Sequence, residues 1–320
     1  MQKTIRLLAL LLAVQVVAAV ALGFSAPRLA ARPDPVPLLA LADAVPDRIA
    51  IANGDGDSVE LIKTDAGWQV AVHDGFPADS AKVEGLLRQL RELTYRAPVA
   101  TSSSAHARLK VAEDAFERRI TLAAGEDTLA TLYLGSSPSV RRMHARRADD
   151  NAVHEVEFAS YEAPATASDW IDKTVLQLPA DEVTALQVAD LRLVRTAPQQ
   201  ADEAADEAAE AGPAWQAEGL DQPPNQAAVD DLVRRLTQLR IGDVLGREAR
   251  PEYGLEQPRL TLTLERGEAE PVEYRLGKMA DEDGYVLKTS LRPEYFRLPS
   301  YTGEGLVEAA DRETLLAADS

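Results

Sequence analysis

Two stretches of the chain carry the same hydrophobic stripe. In "KVEGLLRQLREL", from Lys82, the apolar residues are Val83, Leu86, Leu87, Leu90 and Leu93. In "AVDDLVRRLTQL", from Ala228, they are Val229, Leu232, Val233, Leu236 and Leu239. Both sets run i, i+3, i+4, i+7, i+10, the spacing of one helix face. Arg88, Arg91 and Glu92, and in the second stretch Asp230, Arg234 and Arg235, fall on the opposite face. Asp79 and Asn225 stand just ahead, where a side-chain oxygen can accept from the free amides of a first helical turn.

The correspondence extends in both directions. "SVELIKT" (from Ser58) and "DLRLVRT" (from Asp190) alternate apolar and polar residues with the period of a strand, and Trp68 and Trp215 follow them. "DRIAIAN" and "TALQVAD" precede those strands. After the helices, "RITLAAGEDTLATLYLG" matches "RLTLTLERGEAEPVEYRLG", each a hairpin around Gly125 or Gly267 that ends at Gly135 or Gly277. "MHARR" and "AVHEVEF" in one half, "YVLKTS" and "EYFRLP" in the other, read as closing strands. "ASDWIDKTVL" and "VEAADRETLL" read as terminal helices. The pattern predicts an α+β fold of two tandem homologous units, each an antiparallel sheet packed by one long amphipathic helix. The first unit spans 41–178 and the second 179–320. Trp68 and Trp215 are expected in the cores. The halves differ at an acidic insertion, "QQADEAADEAAEAGP" at 199–213. Its like-charged i,i+4 pairs weaken a helix, so it reads as a solvated acidic loop or as a docking or cation-binding finger.

The N-terminus changes the picture. Lys3 and Arg6 precede an uncharged run from Leu7 to Phe24, interrupted only by Gln15. About eighteen residues is close to the minimum that crosses a bilayer as a helix and longer than the usual apolar region of a secretory signal. Residues 1–27 therefore read as a transmembrane anchor or signal segment, contacting the bilayer through 7–24. Residues 28–40, with "ARPDPVP", form a Pro-containing spacer. The expected location is the inner membrane, single-pass, with the body in the periplasm.

Composition narrows the function. The chain has 320 residues, 46% hydrophobic and 27% charged, and a net charge of −18. Nucleic acid and anionic membrane surfaces are disfavoured as partners, because both require concentrated Lys and Arg. Absence of cysteine excludes disulfides and thiolate chemistry. His73, His106, His144 and His154 show no helical zinc spacing. Alternation places Glu155 and Glu157 on the face opposite His154. No phosphate loop, dinucleotide fingerprint or nucleophile elbow occurs, and "GDGD" at 54–57 is a turn. No catalytic residue, metal ligand or cofactor is assigned. One basic cluster stands out, "RRMHARR". Arg141, Arg142, Arg146 and Arg147 form a candidate interaction surface, set against the simpler reading of a strand with a wet face.

"DRIAI", "VELIKTDAGW", "FPADSAKVEGLLRQLREL", "YGLEQP" and "WIDKTVL" before "VTALQV" resemble the DUF4340 family of bacterial envelope proteins. The resemblance implies an extracytoplasmic accessory to an ABC-type exporter of the gliding-motility kind, with transporter subunits as partners. It supplies no catalytic residues, and the acidic insertion lies outside the family's pattern. The expectation is a membrane-anchored binding or scaffold protein and not an enzyme. The alternatives are an envelope-polymer hydrolase using a carboxylate pair and a structural envelope spacer.

Overall fold

A computed structural model describes residues 12, 14–16, 34–41, 44–72, 74–196, 214–280 and 283–316. The acidic insertion, His73 and nearly all of the expected anchor lie outside them. From the first residues described in the body, the elements are β1 (Val36–Pro37), β2 (Arg48–Asn53), β3 (Ser58–Thr64), β4 (Gly67–Val70) and β5 (Phe76–Pro77), then α1 (Ser80–Glu92). There follow β6 (Thr94–Tyr95), β7 (Pro98–Ala100), α2 (Ser104–Arg108), β8 (Arg118–Ala124), β9 (Asp127–Leu134), β10 (Arg142–Arg147) and β11 (Val153–Glu157). The chain continues with β12 (Ala185–Val188), β13 (Leu191–Arg195), β14 (Trp215–Ala217), α3 (Gln226–Thr237) and β15 (Asp243–Gly246). It closes with β16 (Leu260–Arg266), β17 (Ala269–Lys278), β18 (Gly284–Thr289), β19 (Tyr295–Pro299), α4 (Ser300–Ala309) and α5 (Arg312–Leu316).

This architecture corrects the expected fold class. Among the described residues the body is chiefly antiparallel β, in sheets of two, nine and eight strands, with short helices. The two amphipathic stretches do form helices, but of only 13 and 12 residues. Twelve residues rise about 18 Å, whereas eight strands spaced about 4.8 Å apart extend some 34 Å. Neither helix is long enough to serve as the second layer of an α+β unit. The stripe specified which face is buried but not how much sheet would accompany it. Among the described residues no helix is long and apolar enough to cross a membrane, so the expected transmembrane helix is not among them. "ASDWIDKTVL", expected as a helix, forms a 3₁₀ turn at Ala167–Asp169 followed by irregular turns. Part of the expected spacer is folded: Val36–Pro37 pairs with Thr94–Tyr95, and Leu38 and Leu39 are buried.

The nine-stranded sheet has the order β5-β4-β3-β2-β8-β9-β10-β11-β7. The eight-stranded sheet has the order β14-β13-β12-β16-β17-β18-β19-β15. Replacing each strand by its sequence counterpart converts one order into the other, apart from β5. Local details correspond as well. Asp79 Oδ1 accepts from Lys82 N at 3.0 Å, and Asn225 Oδ1 accepts from Ala228 N at 3.0 Å. Asp79 N donates to Trp170 O at 2.8 Å, and Asn225 N to Leu315 O at 2.9 Å. Lys63 lies 5.8 Å from the Trp68 ring centre, and Arg195 lies 5.8 Å from that of Trp215.

The chain folds into two compact units. One comprises 1–46, 51–56 and 85–164, and the other 47–50, 57–84 and 165–320. In the first, Val83's neighbours along the stripe, Leu86, Leu87 and Leu90, are buried, and Ala105, Leu109, Val111, Tyr133 and Val153 form a further cluster. In the second, Val229, Leu232, Val233 and Leu236 of α3 are buried, as are Leu262, Leu264, Val286, Leu287, Phe296 and Leu298 of the strands.

The two tryptophans, both 3% exposed, differ in one respect. Trp215 Nε1 donates to Asp230 Oδ1 at 2.8 Å, whereas Trp68 Nε1 has no hydrogen-bond partner among the described residues. Leaving a buried donor unpaired costs about 1–3 kcal/mol. Asp230→Ala should therefore lower stability by about 1–2 kcal/mol, since Asp230 itself is exposed. Trp68→Phe should be better tolerated than Trp215→Phe in urea unfolding, because the Trp68 indole loses no bond.

Candidate interaction surface

The basic cluster lies on β10 and the turn before it, and its four arginines have different roles. Arg146, only 7% exposed, is structural. Its Nε donates to Val111 O at 2.8 Å, its Nη1 to Arg147 O and Asp150 O at 3.1 Å each, and its guanidinium lies 4.8 Å from the Tyr133 ring centre. Arg147 is closed onto Asp149 through Nε at 2.8 Å and through Nη2. That hydrogen bond holds the Asp149 carboxyl below its ordinary range. Arg142 bonds Glu155 across the strands at 2.7 Å but remains half exposed. Arg141 is exposed and faces Glu162 at 3.5 Å. Of the four, Arg141 and Arg142 thus present the most of their side chains to solvent.

The turn carrying Arg141 is unusual. Arg141 sits at φ 57°, in the left-handed region that residues with a side chain seldom occupy. It is held there by Phe158 N, which donates to Arg141 O at 3.1 Å, and by Glu162. The Glu162 side chain is mostly buried and accepts from Gln89 Nε2 at 2.6 Å and from Ala159 N at 2.8 Å. Val140, next to Arg141, is 91% exposed, and Tyr161, next to Glu162, is 67% exposed. The Arg141–Glu162 pair is therefore flanked by two large apolar side chains in solvent. Beside it is a depression of about 240 Å³ lined by Gln89, Glu92, Thr94, Arg141, Glu157 and Phe158. Val140, Tyr161 and Glu162 were not among the residues singled out from sequence. The available signal was an apolar residue inside the turn-forming run "SSPSVRR".

The three described histidines do not converge. His144 pairs in register with Glu155, and its Nδ1 is 3.0 Å from Ser136 Oγ. His106 Nε2 is 2.8 Å from Asn151 O. Among the described residues no group of three His, Asp or Glu is placed to hold a metal ion. His154 is 4% exposed and its ring centre lies 3.8 Å from that of Tyr95. Burial, aided by Arg147 and opposed by Asp150, keeps its pKa below the ordinary value. The unfolded chain then binds a proton that the folded chain resists. Stability should be unaffected above about pH 6.5 and decline as pH falls from there to the folded-state value. His154→Phe should flatten thermal stability measured between about pH 5 and 6.5.

The family described as a domain of unknown function, DUF4340, matches residues 68–248 and 215–311, the matches beginning at the counterparts Trp68 and Trp215. No curated protein and no solved structure matches the chain.

Proposed function

Because this chain belongs to the DUF4340 family, a domain of unknown function, we propose its role from its own features: a binding or scaffold protein held at the inner membrane, its body in the periplasm, serving an ABC-type transport complex. The observation that carries the binding role is the Val140–Arg141 turn with Tyr161 beside it. Arginine and tyrosine are enriched at the centres of protein interfaces. A backbone held in a costly conformation to present an apolar side chain to water is a mark of a contact site. The apolar run at 7–24, almost all of it outside the described residues, supports a membrane tether. The resemblance of "VELIKTDAGW" and "WIDKTVL" to envelope proteins of this family supports the transporter as partner.

Crosslinking in intact cells, followed by identification of what is captured from the membrane fraction, tests this reading. Capture of transporter subunits is expected. Failure to capture any membrane protein, together with hydrolysis of envelope polymer by the purified chain, would replace the binding role with an enzymatic one.

A further inference from the structure

In the unit comprising 47–50, 57–84 and 165–320, backbone hydrogen bonds draw three cations to one rim. Asp172 N donates to Pro77 O at 2.8 Å, Ala78 bridges Ile171, and Asp79 N donates to Trp170 O at 2.8 Å. Ile241 N donates to Lys173 O at 3.1 Å. The start of α1, the segment 171–174 and Arg240 are thereby fixed around a depression of about 550 Å³ lined by Asp79, Lys82, Asp169, Asp172, Lys173 and Arg240.

None of the three cations is paired with a carboxylate among the described residues. Lys82 Nζ donates to the carbonyl of Asp169 at 2.6 Å and lies 4.8 Å from the Trp170 ring centre. Lys173 and Arg240 make no side-chain hydrogen bond or ion pair with any described residue. Two of the three aspartates are directed at local donors. Asp79 Oδ1 takes Lys82 N at 3.0 Å, and Asp172 Oδ1 takes Thr174 N at 2.9 Å and Thr174 Oγ1 at 2.6 Å. In a chain with 52 acidic and 34 basic residues, three cations without a carboxylate partner in one concavity go against the general balance.

Comparison with the second half argues that the fold does not need Lys82. There Asn225 N donates to Leu315 O as Asp79 N does to Trp170 O. At that equivalent junction Lys82 is replaced by Ala228 and Asp169 by Thr314. The same helix start closes on the same kind of segment with alanine at the Lys82 position, and the arginine lining the depression there, Arg235, is paired with Asp231.

We propose that this depression binds a small solute through an oxyanion group, a carboxylate or a phosphate, with Arg240 and Lys173 as its charged donors and Lys82 at its edge. Its volume falls in the range of small-molecule sites, and a guanidinium beside an ammonium suits a planar or tetrahedral oxyanion. This site is separate from the Val140 turn and does not depend on the identity of the protein partner.

The test is calorimetric titration of the full chain at low ionic strength, where screening is weakest, with inorganic phosphate and with succinate. Saturable binding of at least one is expected. Phosphate alone assigns a phosphoryl group and succinate alone a carboxylate. A Lys173→Ala/Arg240→Ala double variant, which changes partly or fully exposed side chains, should bind the same probe at least about tenfold more weakly while its thermal unfolding is unchanged. Binding of neither probe at about 10 mM, or equal binding by the double variant, would overturn the proposal.

Discussion

Gly277→Ala and Gly135→Ala should each destabilise the protein by at least about 3 kcal/mol, near the upper end for single substitutions. A β-carbon on Gly277 would stand 2.1 Å from Tyr253 O and 2.8 Å from Gly254 C. On Gly135 it would stand 2.0 Å from Leu109 O and 2.5 Å from Lys110 O. All four atoms are backbone, so no side-chain rotation relieves the overlap. The strand end or the crossing segment must move by about 1 Å to restore a normal carbon–oxygen contact. That movement would strain packing around Tyr253, which is 3% exposed, in one case and Leu109 and Val111, both buried, in the other. Gly85→Ala in α1 is the control. Its new methyl would meet only Arg88 Nη2, at 4.0 Å, and alanine favours a helix by up to about 1 kcal/mol. Urea unfolding of the three variants should therefore show two large losses and one neutral or favourable change.

Glu294→Ala should cost about 2–3 kcal/mol, less than the 3–5 of a fully buried broken pair because one partner is half exposed. The Glu294 side chain is 2% exposed, and its Oε1 accepts from Arg247 Nη2 at 3.1 Å and its Oε2 from Arg292 Nε at 3.0 Å. Removing the carboxylate leaves both guanidiniums without it. Arg292, held 4.9 Å from the Phe76 ring centre, is the less able to reach water, being 28% exposed against 50% for Arg247. Burial by itself would raise the pKa of Glu294, but the bonds from Arg292 and Arg247 outweigh it and hold the group below its ordinary value. Its stabilising contribution is accordingly complete above the unfolded pKa of about 4.3 and is lost as pH falls through the folded one. The stability gap between the natural chain and Glu294→Gln, read by urea midpoint, should be wide at neutral pH and close below about pH 4.

Much of the secondary structure was legible because alternation and helical spacing are local. The hairpin of β8 and β9, its counterpart of β16 and β17, and the caps Asp79 and Asn225 all stand where the sequence puts them. Proportion was not legible. The three- and four-residue edge strands β7 and β15 carry too few residues to show a period, and each adds to a sheet through pairing with a distant strand. These additions, with helices of only 12 and 13 residues, made the molecule chiefly β. The basic cluster was half legible. Alternation puts Met143 and Ala145 on one face of β10 and Arg146 on the other, and all three are buried. Besides the carbonyl of Arg147 next to it, the acceptors of Arg146 are the carbonyls of Val111 and Asp150, positions no spacing rule connects with β10. The exposed partner of that surface, Tyr161, comes from a 3₁₀ turn, Ser160–Glu162, that the period-two and period-3.6 patterns do not register.

A photo-crosslinking residue placed in turn at Val140 and at Tyr301 is the most direct test of the binding role. Both positions are strongly exposed, at 91% and 81%, so access to reagent and solvent is matched. Irradiation of cells should yield a discrete adduct with a membrane-transport subunit from position 140 and none from position 301. Equal yields from the two positions, or an adduct from 301 alone, would contradict a partner that reads the Val140–Arg141 turn.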